Sequence, residues 1–302
     1  MKNKLYIIGN GFDLAHGLPV RFDPDFRGFA ERYGQESFWN LYQTRQDEIW
    51  SDFENLLGYP DFDSLEEIFD GYAPDYLSDR ESDRDGMIVQ VAVNGQLKEA
   101  LTVFADHAEQ YMRTYTMPIK SIDDLLDRES YYLSFNYTHT LEYIYGIPAQ
   151  NVLHIHGEAG RDNMALGYPE GNFHPEPYYD DVRRKGRGPY AEKNIEDYIN
   201  HIEDFYVRTA YSDLYDKCKS FYKRIRIDLL ENFLNQNLCQ IEEIIVYGHS
   251  CAIDFDYFSY LYGRYPQAAW RFFVLGETQY YNVSMNIIQR FGITRYEIIP
   301  LS

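Results

Sequence analysis

The residues able to do chemistry in this chain stand in four short blocks. The first is Gly9-Asn10-Gly11-Phe12-Asp13, running on to Gly17-Leu18-Pro19. The second is Ser134-Phe135-Asn136-Tyr137-Thr138 and the third His154-Ile155-His156-Gly157. The fourth is Gly248-His249-Ser250, with Asp254 and Asp256 close behind. Glycines at 9 and 11 would let a backbone approach a pyrophosphate, and a helix starting there would turn free N–H groups toward it. The spacing is not the six-residue dinucleotide fingerprint, because nothing stands for its third glycine, and the Lys-Ser/Thr of a P-loop is missing. A carboxamide such as Asn136 can orient a ribose or a water. A histidine such as His156, with an ordinary pKa of ~6.5, can take a proton at neutral pH. Asp13 is a candidate for holding ribose hydroxyls or steadying a developing cation. Plainer roles compete: Asn136 as a cap at a strand end, His156 as a core histidine bonded to a carbonyl.

Other site types fit less well. His154 and His156, two apart on an expected strand, would point to one face. A metal would need a third ligand from His139, His174 or His249, and no carboxylate or cysteine stands at helpful spacing, so no metal is expected. His249-Ser250 near Asp254 and Asp256 invites a hydrolase triad, yet Gly248-His249-Ser250-Cys251-Ala252 is not a Gly-x-Ser-x-Gly elbow. Gly248, His249 and Ser250 are placed instead with Gly9, Asn10, Gly11, Phe12 and Gly17 as cofactor contacts.

Each block follows an apolar run: Leu5-Tyr6-Ile7-Ile8, Tyr131-Tyr132-Leu133-Ser134-Phe135, Val152-Leu153-His154-Ile155-His156 and Ile244-Ile245-Val246-Tyr247. Two more runs, Arg271–Leu275 and Tyr296–Ile299, flank an expected helix near Val283–Phe291. Between the runs the pattern is helical: Leu97, Leu101, Phe104, Ala108 and Met112 recur at three and four, and Phe221, Ile225, Leu229 and Phe233 stand four apart. Short apolar strands separated by long helical stretches predict a parallel sheet covered on both faces, with ligands bound outside the strands' carboxyl ends. The expected architecture is one α/β domain, 1–302, Rossmann-like, with helical insertions at about 36–130 and 158–240. Residues 158–192, rich in Gly, Pro and Asp, are expected to form a lid.

Composition narrows the function classes. The 302 residues, 45% hydrophobic and 25% charged, are those of an ordinary globular chain. With 48 acidic against 28 basic residues the net charge is −20, which repels phosphate backbones and argues against nucleic acid as the target. Arg183-Arg184-Lys185-Gly186-Arg187 is the one tight basic cluster. Three cysteines without a CxxC pair exclude a disulfide scaffold or a cysteine-built zinc site. The 30 tyrosines fit half-buried edges, where a ring is covered and a hydroxyl stays wet. No apolar run approaches the ~20 residues of a spanning helix, and the start lacks a signal peptide's apolar core, so the cytoplasm is expected and a membrane is not.

Taken together the four blocks, in order and spacing, resemble the bacteriophage abortive infection AbiH family. The block Ser134-Phe135-Asn136-Tyr137-Thr138-His139-Thr140-Leu141-Glu142 and the Tyr247-Gly248-His249-Ser250 block with Asp254-Phe255-Asp256-Tyr257-Phe258 carry much of that likeness. A more distant resemblance is to sirtuins and sirtuin-like NAD-cleaving defence proteins, whose opening Gly-Ala-Gly-x-Ser-x-x-x-Gly-Ile-Pro is matched in register by Gly9, Gly11, Gly17 and Pro19. Their Asn and His-Gly positions correspond to Asn136 and His156-Gly157. The departures are Asn10 for Ala, Asp13 for Ser and Thr138 for a carboxylate, and the zinc-binding cysteine quartet is missing, so protein deacylation is not expected. The resemblance implies an anti-phage effector that binds NAD or a related nucleotide and hydrolyses its nicotinamide–ribose bond, with Asn136, His156 and Asp13 as catalytic residues. It leaves room for a homo-oligomer and a phage-derived trigger. The rivals are a nucleotide sensor without turnover, a partner-binding component of a defence system, and an RNA-directed toxin, the last disfavoured by charge.

Overall fold

Strand propensity and burial agree in this chain: its apolar runs become the strands of a sheet covered on both faces. The computed structural model describes residues 4–33, 39–42, 49–50, 52–65, 68–69, 85–88, 97–175, 195–237 and 240–301. The strands are β1 (Lys4–Ile8), β2 (Tyr131–Ser134), β3 (Val152–His154), β4 (Tyr168–Pro169), β5 (Tyr222–Lys223), β6 (Glu243–Tyr247), β7 (Ala269–Val274) and β8 (Tyr296–Pro300). Six form one sheet in the order β3-β2-β1-β6-β7-β8, every neighbouring pair parallel. The strands earliest in sequence run outward to one edge and the later ones to the other, which is the doubly wound, Rossmann-like order. The direction reverses between β1 and β6.

Alternation along the central strands splits the core into two layers. Leu5, Ile7, Tyr131, Leu133, Ile244 and Val246 face one layer with Leu230, Leu234, Tyr257, Phe258 and Ile287. Tyr6, Ile8, Tyr132, Ile245 and Tyr247 face the other with Phe12, Leu141 and Tyr145. Burial on both faces explains why these strands read as continuous apolar runs rather than alternating ones.

The connections between β1 and β2 and between β3 and β6 carry helices, among them Leu97–Tyr115, Phe205–Lys219 and Ile227–Gln236. By proximity the chain groups into two compact units. One holds 1–21, 102–165 and 224–302 and contains the six-stranded sheet; the other holds 22–101 and 166–223.

Three local expectations are corrected. The four-residue spacing from Phe221 to Phe233 predicts one helix, but the helix starts at Ile227, because Tyr222–Lys223 pairs in parallel with Tyr168–Pro169 as a second, two-stranded sheet. That pairing also gives part of the expected irregular stretch a strand; residues 176–194, including the basic cluster at 183–187, lie outside the described residues. Finally, β3 ends at His154, and a turn carries Ile155 and His156.

Candidate functional site

The strand registers set four motif positions in one row. Ile8 stands opposite both Ser134 and Tyr247, and Ser134 opposite His154. All four sequence blocks therefore leave the sheet at its carboxyl end. Two of them, Gly9–Gly11 and Gly248–His249, sit where the strand order reverses, the position at which open α/β sheets bind ligands.

These two loops interlock through backbone contact. Gly9 donates to the Tyr247 carbonyl (3.0 Å), Gly11 to the Gly248 carbonyl (2.8 Å) and Phe12 to the Gly9 carbonyl (2.9 Å). A Cβ on Gly9 would lie 2.5 Å from His249 Cα, and one on Gly11 2.8 Å from Gly248 Cα. Gly248 adopts φ +70°, and a side chain there would strike the Phe12 nitrogen. The close approach that these glycines make in this structure is of protein on protein. The N–H groups of Gly9, Gly11 and Phe12 are spent on protein carbonyls. The Phe12 side chain is 1% exposed and packs against Tyr145 and Tyr247 as a core residue. Asn10 ties its turn by donating from Nδ2 to the Val20 carbonyl (2.9 Å), and Gly17 closes the short helix α1 (Asn10–Ala15) at φ +74°.

Asp13 lies one residue beyond this interlock and is fully buried. Thr138 donates to its Oδ2 (2.5 Å) and Thr140 to its Oδ1 (2.8 Å), and Asn136 adds a further side-chain bond. Burial raises its pKa from 3.8 to about 6, against the lowering pull of those three donors. Both carboxylate oxygens are engaged by the protein, so Asp13 ties α1 to the loop after β2. Asn136 is held on three sides: by Asp13, by its own N–H donating to Ser134 Oγ (3.2 Å), and by its carbonyl accepting from His154 Nδ1 (2.9 Å). Its side-chain Oδ1 is buried without a hydrogen-bond partner. A buried acceptor left unpaired is costly, and such atoms recur where a fold is strained or functional.

His156 and His249 form a second group around Asp254. His156 Nε2 is 3.3 Å from Asp254 Oδ1 and His249 Nε2 is 3.6 Å from Oδ2. The Cys251 N–H donates to His249 Nδ1 (3.0 Å), so the neutral His249 ring carries its proton on Nε2, toward Asp254. Phe135 stands between the rings, 5.1 Å from His156 and 4.6 Å from His249 between centroids, and Tyr257 closes the His156 side at 6.2 Å. Asp254 sits at φ +64° and Cys251 at +55°, left-handed conformations that cost roughly 1–2 kcal/mol in a non-glycine residue and recur at functional loops. Ser250 is exposed, accepting from Ala252 N at 3.4 Å, and is not drawn into this group. The sequence offers Asp254 a chemical role only in a triad with Ser250; its two histidine contacts depend on a turn that spacing does not reveal.

His154 and His156 part company. Leu153 and Ile155 pack in the layer with Leu133, Val152 in the layer with Tyr132, and His154 follows Val152. This corrects the expected common face: the turn at Ile155 sends His156 to Phe135 and Tyr257, while His154 reaches Glu142 Oε1 through Nε2 (2.9 Å). Beside it, His139 Nε2 meets Glu158 Oε2 (2.8 Å) and His139 Nδ1 meets Glu109 Oε1 (3.2 Å). Bonding to Glu109 raises the His139 pKa to about 9, burial opposing and Glu158 assisting. Burial pushes Glu109 up, and the donors of His139 and Arg113 outweigh it, bringing that carboxyl down to about 2.

Geometry therefore defines a Rossmann-like α/β protein with buried carboxamide, carboxylate and imidazole groups collected at the carboxyl end of its sheet. The chain belongs to the bacteriophage abortive infection AbiH family, whose model matches residues 5–274. Membership carries a role in abortive infection, an anti-phage response. Comparison with curated proteins and with solved structures found no match. Among the described residues no helix is long and apolar enough to cross a membrane.

Proposed function

We propose that this chain acts in abortive infection by binding NAD or a related nucleotide at the carboxyl end of its sheet and hydrolysing the nicotinamide–ribose bond. The observation that carries the reading is Asn136 Oδ1: a buried, unpaired acceptor on a side chain fixed by Asp13, at the ligand-binding end of a doubly wound sheet. In this reading Asn136 accepts from a ribose hydroxyl or from the attacking water. Water oxygen bonds to the anomeric carbon, the carbon–nitrogen bond breaks, and its electron pair neutralises the pyridinium of the departing nicotinamide. His156 takes the proton that water gives up, and Asp254 beside it stabilises the imidazolium. His249 steadies Asp254, Gly248 and the Gly9–Gly11 turn fix the loops, and Asp13 is a positioning residue for Asn136 rather than a ribose contact. Phosphate contacts by Gly9, Gly11 and Phe12 form no part of the proposal, because their N–H groups are occupied.

The test is nicotinamide release from NAD by the purified chain, with binding measured in parallel. His156→Ala should lower turnover by ~10²–10⁴ and leave binding largely intact, the usual consequence of losing a general base. Asn136→Ala should also cripple turnover, through lost positioning. Full nicotinamide release by His156→Ala would overturn the mechanism. Binding without release in the unsubstituted chain would favour a nucleotide sensor, the reading in which the tightly engaged Asp13 is purely structural.

A further inference from the structure

Beyond the ends of β2 and β3, His139 and His154 come together in a setting that suits metal ligands. A metal-bound imidazole turns one nitrogen to the ion and gives its other N–H to a carbonyl or carboxylate, which fixes ring and tautomer. His154 Nδ1 donates to the Asn136 carbonyl oxygen at 2.9 Å, whereas His139 Nδ1 lies 3.2 Å from Glu109 Oε1 without forming an aligned hydrogen bond. Glu109 is fixed in turn by accepting from Arg113 Nε (2.8 Å) and from the His139 backbone N–H (2.9 Å). The Nε2 atoms are the ones left facing carboxylates: His154 Nε2 toward Glu142 and His139 Nε2 toward Glu158. One ligand atom each from His139, His154 and Glu158 lies within 4.8 Å of the others, and the two rings are 5.3 Å apart between centroids. Glu142 also keeps Oε2 buried with no hydrogen-bond partner.

We propose that His139, His154 and Glu158 bind one divalent transition-metal ion, zinc by preference, with Glu142 able to supply a fourth ligand. Two imidazoles with carboxylates form a donor set suited to zinc and its neighbours, whereas magnesium and calcium favour all-oxygen shells. The ion would take the place of the N–H···O contacts now joining these side chains, drawing the donors inward to ~2.0–2.2 Å from one centre. Its place in the fold is specific. His154 holds the Asn136 carbonyl and His139 begins the helix Thr140–Tyr145, so the ion would clamp the loop that presents Asn136, Thr138 and Thr140 to Asp13. The proposal does not depend on what nucleotide the chain binds or on whether it turns one over.

The full chain, stripped with chelator and dialysed, is titrated with Zn²⁺ by calorimetry, and its thermal melt is followed with and without the ion. One zinc per chain with a raised Tm is expected, and Mg²⁺ should give neither. Removing a ligand should weaken zinc binding by roughly 100-fold or more, at least the effect of disturbing a group that merely supports one. Glu158→Gln serves as the mild variant, since Glu158 lies outside any helix or strand with its side chain 17% exposed, and His139→Ala as the stronger one. His174→Ala, whose ring lies on Tyr59 in the other unit, should bind zinc like the unsubstituted chain. Failure of the stripped chain to take up stoichiometric zinc would overturn the site. So would stoichiometric binding that survives either Glu158→Gln or His139→Ala in a variant with an unchanged far-ultraviolet spectrum.

Discussion

Asp13 gives the fold a pH dependence whose sign and size follow from its surroundings. It is 1% exposed, and burial lifts its pKa from 3.8 to about 6 despite donation from Thr138, Thr140 and Asn136. The folded protein thus holds this proton more tightly than the unfolded chain does. Stability from Asp13 is fully present below the unfolded value and is lost as pH climbs from about 4 to about 6, staying level above that. Each pKa unit is worth about 1.4 kcal/mol, so a shift from 3.8 to about 6 costs about 3 kcal/mol once the group is ionised. Asp13→Asn keeps the shape and one acceptor but cannot ionise. The lost acceptor adds a pH-independent penalty of ~1 kcal/mol at one of the two threonines. Urea unfolding of both proteins at several values between about pH 4 and pH 7.5 isolates the titrating part as the change in their difference. The variant should gain about 2 to 3 kcal/mol relative to the parent across that range. A difference that stays flat with pH would show that Asp13 is not held protonated by burial. A difference running the other way would mean that the threonine and Asn136 donors outweigh desolvation and that the site favours the carboxylate.

Three further outcomes are expected. Gly248→Ala should destabilise the protein by about 3 kcal/mol or more, because it adds a left-handed penalty to overpacking against Phe12, whereas Gly17→Ala, at φ +74° with open space around it, should cost only about 1–2 kcal/mol; denaturant midpoints compare them. Cys218, pushed up to about 12 by burial, and the equally buried Cys251 should ignore Ellman's reagent at neutral pH in a Cys239→Ser background and react only on unfolding. In the second unit, Lys223→Ala strands the buried Glu54 carboxylate and should cost about 3–5 kcal/mol, while Lys223→Met with Glu54→Leu should recover most of it, as read by thermal melts.

Much of the sheet is legible in the chain alone. A strand buried on both faces needs apolar side chains at successive positions, so Leu5–Ile8, Tyr131–Leu133 and Ile244–Tyr247 announce themselves, and the helical stretches between them dictate parallel pairing. That polar blocks follow these runs is equally local, and with the strand order it is enough to bring Gly9, Asn136 and Gly248 to one end of the sheet. What the residues there do is decided by partners far away in sequence. Gly11 is a glycine because Gly248 lies against it, and Asp13 is engaged because Thr138 and Thr140 arrive from a loop 125 and 127 residues on. His154 and His156 diverge because pairing with β2 stops at His154, a matter of where a neighbouring strand ends rather than of spacing. Glu109, Glu142 and Glu158 meet the histidines only after three separate elements fold together. Periodicity records which face of an element is buried; it carries nothing about which other element's side chain will be waiting there, and chemistry at a site is made of those meetings.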